Sequence, residues 1–121
     1  VAADDARFCD THAKLGIVPR WGLSARLPRR VGPAVAKRIS IGGDVVPAEE
    51  ALRIGLCDHV VPKADLLDFT LALAARIGAQ AAHSVAAIKH LYERAAGTSL
   101  EAALDYERAY TRPGGRRPAD G

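Results

Sequence analysis

The sequence predicts an α/β chain that is mostly helical, and three observations predict it. Apolar residues recur at helical spacing through the second half: Leu66, Leu67, Leu71, Ala74 and Ile77, then Val85, Ile88, Tyr92 and Ala95, then Leu100, Ala103, Leu104 and Tyr110. Extended pieces are few and short, at residues 5–9 and 57–61, the second closed by Pro62. Aromatic residues make up 5% of the 121 positions, so a core has to be built from Ala, Leu, Val and Ile, which favours helices packed closely through small side chains.

The elements follow in order. Asp4-Asp5 makes a turn before the first extended piece. Residues 15–19 form a compact apolar stretch, with Val18 held extended by Pro19 behind it. Leu23, Leu27 and Val31 then recur at helical spacing, and Pro28 is expected to weaken or split that helix. Gly32-Pro33 breaks the chain. Ala34, Val35 and Ile39 give a second short helix ending at Gly42-Gly43. Pro47 with Glu49 and Glu50 suits a helix start, because proline costs no hydrogen bond in the first turn and acids favour the positive end of the dipole. Gly55 stops this helix, with Leu56 packing back as in a Schellman cap. Thr98 and Glu101 read as a capping box that opens the last helix. The tail from Arg112, rich in Gly, Pro and Arg, is expected to be disordered.

Bulk properties exclude several classes. Hydrophobic residues at 49% and charged residues at 26% argue against disorder for most of the chain. The net charge of +3 is small and sits in local clusters, Arg26, Arg29 and Arg30 and again Arg112, Arg116 and Arg117. No nucleic-acid-binding motif or interleaving of aromatics accompanies it, so no nucleic-acid partner is expected. Cys9 and Cys57 lack metal-ligand spacing and read as reduced thiols of a cytoplasmic protein. No signal peptide and no membrane-length apolar run is present. The start, without an initiator Met, reads as the tail of a strand inside a longer chain.

Three ordered motifs carry a resemblance. The stretch LGIVPRWGLSARLPRRVG at residues 15–32 is similar to the LGxxPGxGGTQRLPRxVG of the enoyl-CoA hydratase/isomerase (crotonase-like) family. GDVVPAEEALRIGLCDHVVP at residues 43–62 resembles its TGxxxxAxEAxxxGLVxxVVP, and ADDARF at residues 3–8 resembles the strand that precedes both. Order and spacing agree, and the matches cover about half the chain. The resemblance implies the C-terminal half of a crotonase fold. Residues 1–62 would form the last turns of the ββα spiral, residues 63–112 an oligomerisation region building a homotrimer or hexamer, and residues 113–121 a disordered tail. It also implies acyl-CoA as substrate and partner, no membrane partner, no metal and no cofactor beyond the coenzyme A of the substrate. Chemistry would run through an enolate held by two backbone N–H donors, fixed dipoles that need no reorganisation as charge develops. Those donors and one of the two hydratase glutamates match no residue of this segment.

The second hydratase glutamate would lie in a Pro-Glu pair where this chain has Thr11-His12. Histidine titrates near neutrality, so His12 is a candidate acid or base, with space-filling as the alternative. Trp21, Gly22 and Leu23 fall where the family's glycine-rich turn approaches the acyl chain; Trp21 either shapes that pocket or packs as core. Arg20 and Leu23 replace glycines that permit close backbone approach. Ser24 is expected to cap the following helix. Tyr106 and Tyr110 fall near the family position that contacts the adenine of CoA, and Arg29 and Arg30 serve phosphates, a trimer contact or a solvated face. Two functions therefore compete: a lyase or isomerase on acyl-CoA, and a non-catalytic homologue serving as an oligomerisation module.

Overall fold

The computed structural model describes residues 1–110. The chain divides into two compact units, Val1–Leu73 and Ala74–Gly121. The predicted tail disorder at residues 113–121 lies outside the described residues.

The first unit is built from four two-residue strands and a set of short helices. Strand β1 (Ala2–Ala3) runs parallel to β4 (Val60–Val61), with Ala2 opposite Val60. Strand β2 (Arg7–Phe8) runs antiparallel to β3 (Val46–Pro47), with Phe8 opposite Val46. The turn predicted at Asp4-Asp5 separates β1 from β2, and Lys63 ties it to the far end of β4: its N–H donates to Asp4 Oδ1 at 3.1 Å and its ammonium to Asp5 Oδ2 at 2.6 Å. The hydrogen bond and charge of Asp5 raise the Lys63 pKa above its ordinary value.

Helices α1 (His12–Leu15), α2 (Leu23–Val31), α3 (Pro33–Gly42) and α4 (Ala48–Arg53) follow β2 and β3. The expected stripe on α2 holds: Leu23, Leu27 and Val31 are half-buried while Ala25, Arg26, Arg29 and Arg30 are exposed. Pro28 does not split this helix, contrary to expectation. Proline removes one donor, but the next bond survives, Gly32 N–H to the Pro28 carbonyl at 3.0 Å, and the Arg29 guanidinium donates to the Ala25 carbonyl at 2.6 Å. Gly32 then breaks the chain and Pro33 opens α3, where its fixed φ costs nothing.

The core lies between α3, β3 and α4. Ile39, Val46 and Ala51 are fully buried, with Phe8, Leu27, Val35, Ile54, Leu56 and Cys57 packed around them. Ala36 and Ile39 on α3 and Ala48 and Ala51 on α4, each pair one turn apart on its helix, are buried, three of the four being alanines, in keeping with the low aromatic content. Helix α4 starts one residue later than expected: Pro47 ends β3 and stands before the first helical turn. Its C-terminus is the anticipated Schellman cap, with Gly55 at φ 75°, Leu56 N–H on the Ala51 carbonyl at 2.8 Å and Gly55 N–H on the Leu52 carbonyl at 3.1 Å.

A 3-10 turn (Lys63–Asp65) leads into α5 (Leu66–Gly78). The face it covers differs from the expected stripe. Leu66, Phe69 and Leu73 are half-buried, Phe69 against the His59 ring at 5.2 Å, whereas Leu67, Leu71 and Ile77 are more than half exposed.

The second unit holds α6 (Ala82–Ala95) and α7 (Leu100–Ala109), which pack on each other. Val85, Ala87 and Leu91 of α6 and Ala103, Tyr106 and Tyr110 of the α7 region are half-buried; Ile88, Tyr92 and Leu100 are exposed. The cap of α7 is Ser99 rather than Thr98: its hydroxyl accepts from the Ala102 N–H at 3.3 Å, while the Thr98 hydroxyl donates back to the Ala95 carbonyl. The shift by one residue leaves Glu101 out of register for a capping box.

Candidate functional site

Strand β2 delivers the chain to the site. Pairing of Phe8 with buried Val46 fixes the direction in which the next residues leave the sheet. Cys9 donates its thiol hydrogen to the Gly43 carbonyl at 3.4 Å, and Asp10 turns inward, 7% exposed. Asp10 Oδ1 accepts twice from the same residue: the His12 N–H at 3.1 Å and His12 Nδ1 at 2.6 Å. The first bond is an Asx-type turn that opens α1, which has no side-chain cap at Thr11. The second joins a carboxylate to an imidazole.

Burial raises the pKa of Asp10, but this is outweighed by the polar influence of the Ser40 hydroxyl and by the His12 ring and N–H, so the carboxyl lies below its ordinary value of 3.8. No hydrogen bond of ordinary geometry joins Ser40 to it, and Oδ2 is buried with no donor.

Cys9, Asp10, Thr11 and His12 form one wall of a pocket of about 430 Å³, and Trp21, Leu23 and Arg26 form the other. Three of the predicted site residues, His12, Trp21 and Leu23, therefore meet. Gly22 sits behind them, where a Cβ would stand 3.3 Å from Arg26 Nε. The reading of Trp21 as core is wrong: the side chain is 93% exposed. The turn explains why. Trp21 has φ 21° and Gly22 φ 84°, so the chain reverses here and throws the ring outward. Arg20 and Leu23 have no positive φ, so the glycines they replace are not needed for backbone conformation. Ser24 caps nothing; the residue before the helix is Gly22, and Ser24 lines a separate apolar groove of about 220 Å³ between α2 and α3.

Tyr106 and Tyr110 belong to the second unit. Tyr106 shares a 2.8 Å hydrogen bond with His90 Nε2, the Arg94 guanidinium lies 5.0 Å from its ring, and Tyr110 stacks obliquely on His90 at 5.5 Å. Sequence reasoning missed Asp10, His90 and Arg94. Asp10 was detectable as an acid two residues before a candidate histidine; His90 and Arg94 are one turn apart on α6, a spacing that puts both on one face. Arg29 donates to its own helix and Arg30 pairs with Asp58 at 2.7 Å. Among the described residues no group of three or more His, Cys, Asp or Glu is placed to hold a metal ion, and no single helix is long and apolar enough to cross a membrane.

Short strands feed small-residue helices, and solved structures place this arrangement within the crotonase fold. The chain aligns with an enoyl-CoA hydratase from Mycobacterium avium at TM-score 0.73 and 40% identity, covering 88% of this chain and 44% of that one. A probable enoyl-CoA hydratase/isomerase from Mycobacterium abscessus gives TM-score 0.83 at 31% identity, with 88% and 42% covered. The sequence pattern of the enoyl-CoA hydratase/isomerase family matches residues 1–112, and the chain belongs to that family. Carnitinyl-CoA dehydratase of Escherichia coli K12 is 38% identical over 109 residues, which is 90% of this chain and 42% of that protein. The enzyme of the same name from Proteus mirabilis is 38% identical over 101 residues, with 84% and 39% covered. The chain thus spans about two fifths of the length of the curated relatives it matches.

Proposed function

We propose that this segment is the C-terminal half of an enzyme that adds water to, removes water from, or isomerises an acyl-CoA thioester through an enolate, with His12 as its acid–base group. The observation that carries the reading is the meeting of His12 with Trp21 and Leu23 in one pocket, at the position where hydratases of the family carry a glutamate. A proton carrier in a pocket that Trp21 and Leu23 also line suits proton transfer at the carbon next to a thioester. The backbone donors for the enolate oxygen belong to the rest of the protein, and the only coenzyme is the CoA that the substrate brings. Tyr106 and Tyr110 offer aromatic faces to its adenine in a neighbouring subunit.

Crotonyl-CoA hydration by the full-length protein tests this. H12A is expected to lose roughly a hundredfold or more in kcat, with KM little changed. An unchanged kcat would remove His12 from the mechanism.

A second reading rests on a different observation, the exposed apolar side chains Leu67, Leu71, Ile77, Ile88 and Leu100. They support assembly of the cytoplasmic protein into a homotrimer or hexamer, whether or not chemistry accompanies it. Native mass spectrometry of the full-length protein decides the state; a monomer would sink this reading.

A further inference from the structure

We propose that Asp10 is a positioning residue that holds His12 with its proton on Nδ1, so that Nε2 is the nitrogen presented to the pocket. The inference rests on the reading of His12 as the acid–base group and adds a residue to it.

The argument starts from proton inventory. Asp10 is 7% exposed and is held in its ionised form, so both carboxylate oxygens are acceptors only. The 2.6 Å contact between Oδ1 and His12 Nδ1 therefore has the hydrogen on nitrogen. In the neutral ring the other nitrogen, Nε2, then carries a lone pair, and it makes no hydrogen bond among the described residues. The ring lines the same pocket as Trp21 and Leu23. When Nε2 takes a proton from substrate or water, the Asp10 carboxylate faces the resulting imidazolium at hydrogen-bond distance and stabilises it. The other titratable side chains lining this pocket are Arg26 and Cys9, whose thiol is turned to the Gly43 carbonyl at 3.4 Å. Arg26 makes no ion pair among the described residues and opposes a positive ring, which leaves Asp10 as the compensating charge. Oδ2 has no hydrogen-bond donor, and besides His12 only the Ser40 hydroxyl acts on this buried carboxylate, so His12 is the one titratable partner that Asp10 orients.

A role limited to turn formation would need only the His12 N–H bond, and asparagine supplies that acceptor as well. D10N therefore separates the roles. In the full-length protein assayed with crotonyl-CoA, D10N is expected to keep its melting temperature and its KM within about twofold while kcat falls roughly tenfold or more. The D10N loss is expected to vanish when H12A is already present. D10N with kcat at the wild-type level beside a crippled H12A overturns the proposal. If H12A itself keeps full kcat, the acid–base reading of His12 fails instead, and positioning is judged by ¹⁵N spectra of the His12 ring in its neutral form. Those spectra require no substitution, so they also decide the matter if D10N does not fold. A protonated Nδ1 with a bare Nε2 supports the assignment, and a ring protonated on Nε2 overturns it.

Discussion

The two units of this chain use the same kind of helix to different ends. In residues 1–73, α3 and α4 close over β3, and every fully buried hydrophobic residue of the described chain lies there, Val46 and Ala51 at 0% exposure. In residues 74–110, α6 and α7 bury no residue fully and are joined through a polar-aromatic cluster of His90, Arg94, Tyr106 and Tyr110. A core made of Ala, Val and Ile tolerates little change because its packing leaves no slack. A pair of helices joined by partly exposed rings has slack, and its apolar outer face carries information about partners rather than about its own stability.

The sharpest way to break the comparison is to place a charge in each unit. V46D puts an unpaired carboxylate in the core and is expected to cost about 4 kcal/mol or more, read from urea denaturation. I88D changes a side chain that is 50% exposed and is expected to move stability by less than about 1 kcal/mol, and on the proposed reading of a homotrimer or hexamer to shift the full-length protein to smaller species on size-exclusion chromatography. Equal losses of stability in both would erase the distinction between the units.

Acid discriminates next. Asp10 has a lowered folded pKa, so its contribution to stability is present above the ordinary carboxyl value of 3.8 and is lost as pH falls from there through the folded pKa. The urea midpoint of the first unit should therefore drop on acidification, and D10N should flatten that slope.

Backbone changes come below these. G55A forces a side chain into φ 75° with only the Arg30 carbonyl within 4 Å, so the penalty is conformational, about 1 kcal/mol, measured by thermal unfolding. S99A removes the α7 cap and is expected to cost about 0.5–1 kcal/mol. T98A, at the residue the sequence suggested as the cap, should cost less.

Much of the local structure was legible because the forces behind it act over three or four residues. The apolar spacing of α2, the break at Gly32-Pro33 followed by the short helix α3, and the Schellman turn at Gly55 all follow from such short-range rules. The errors arose where local rules compete or where packing decides. Ser99 outcompeted Thr98 as a cap because both carry hydroxyls and only the arrival direction of the chain selects one. Trp21 was open between a pocket and a core position, and the positive φ at Trp21 and Gly22 turns it outward. Leu67 and Leu71 were assigned to the inward stripe, but the contact of Phe69 with His59 rotates α5 so that Leu66, Phe69 and Leu73 face in.

The candidate site divides in the same way. His12, Trp21, Gly22 and Leu23 could be named from motif position alone, and family membership followed from three motifs in order. Asp10 could not. Its significance comes from the antiparallel pairing of Phe8 with Val46 and from α3 folding back so that Ser40 lies beside it, separations of more than 25 residues that no local pattern encodes. The sequence by itself determined the family, the helices and the residue where a glutamate has become His12. Only the tertiary structure decided that a buried carboxylate stands behind that histidine, because burial and charge pairing depend on which distant segments exclude water from the same few ångströms.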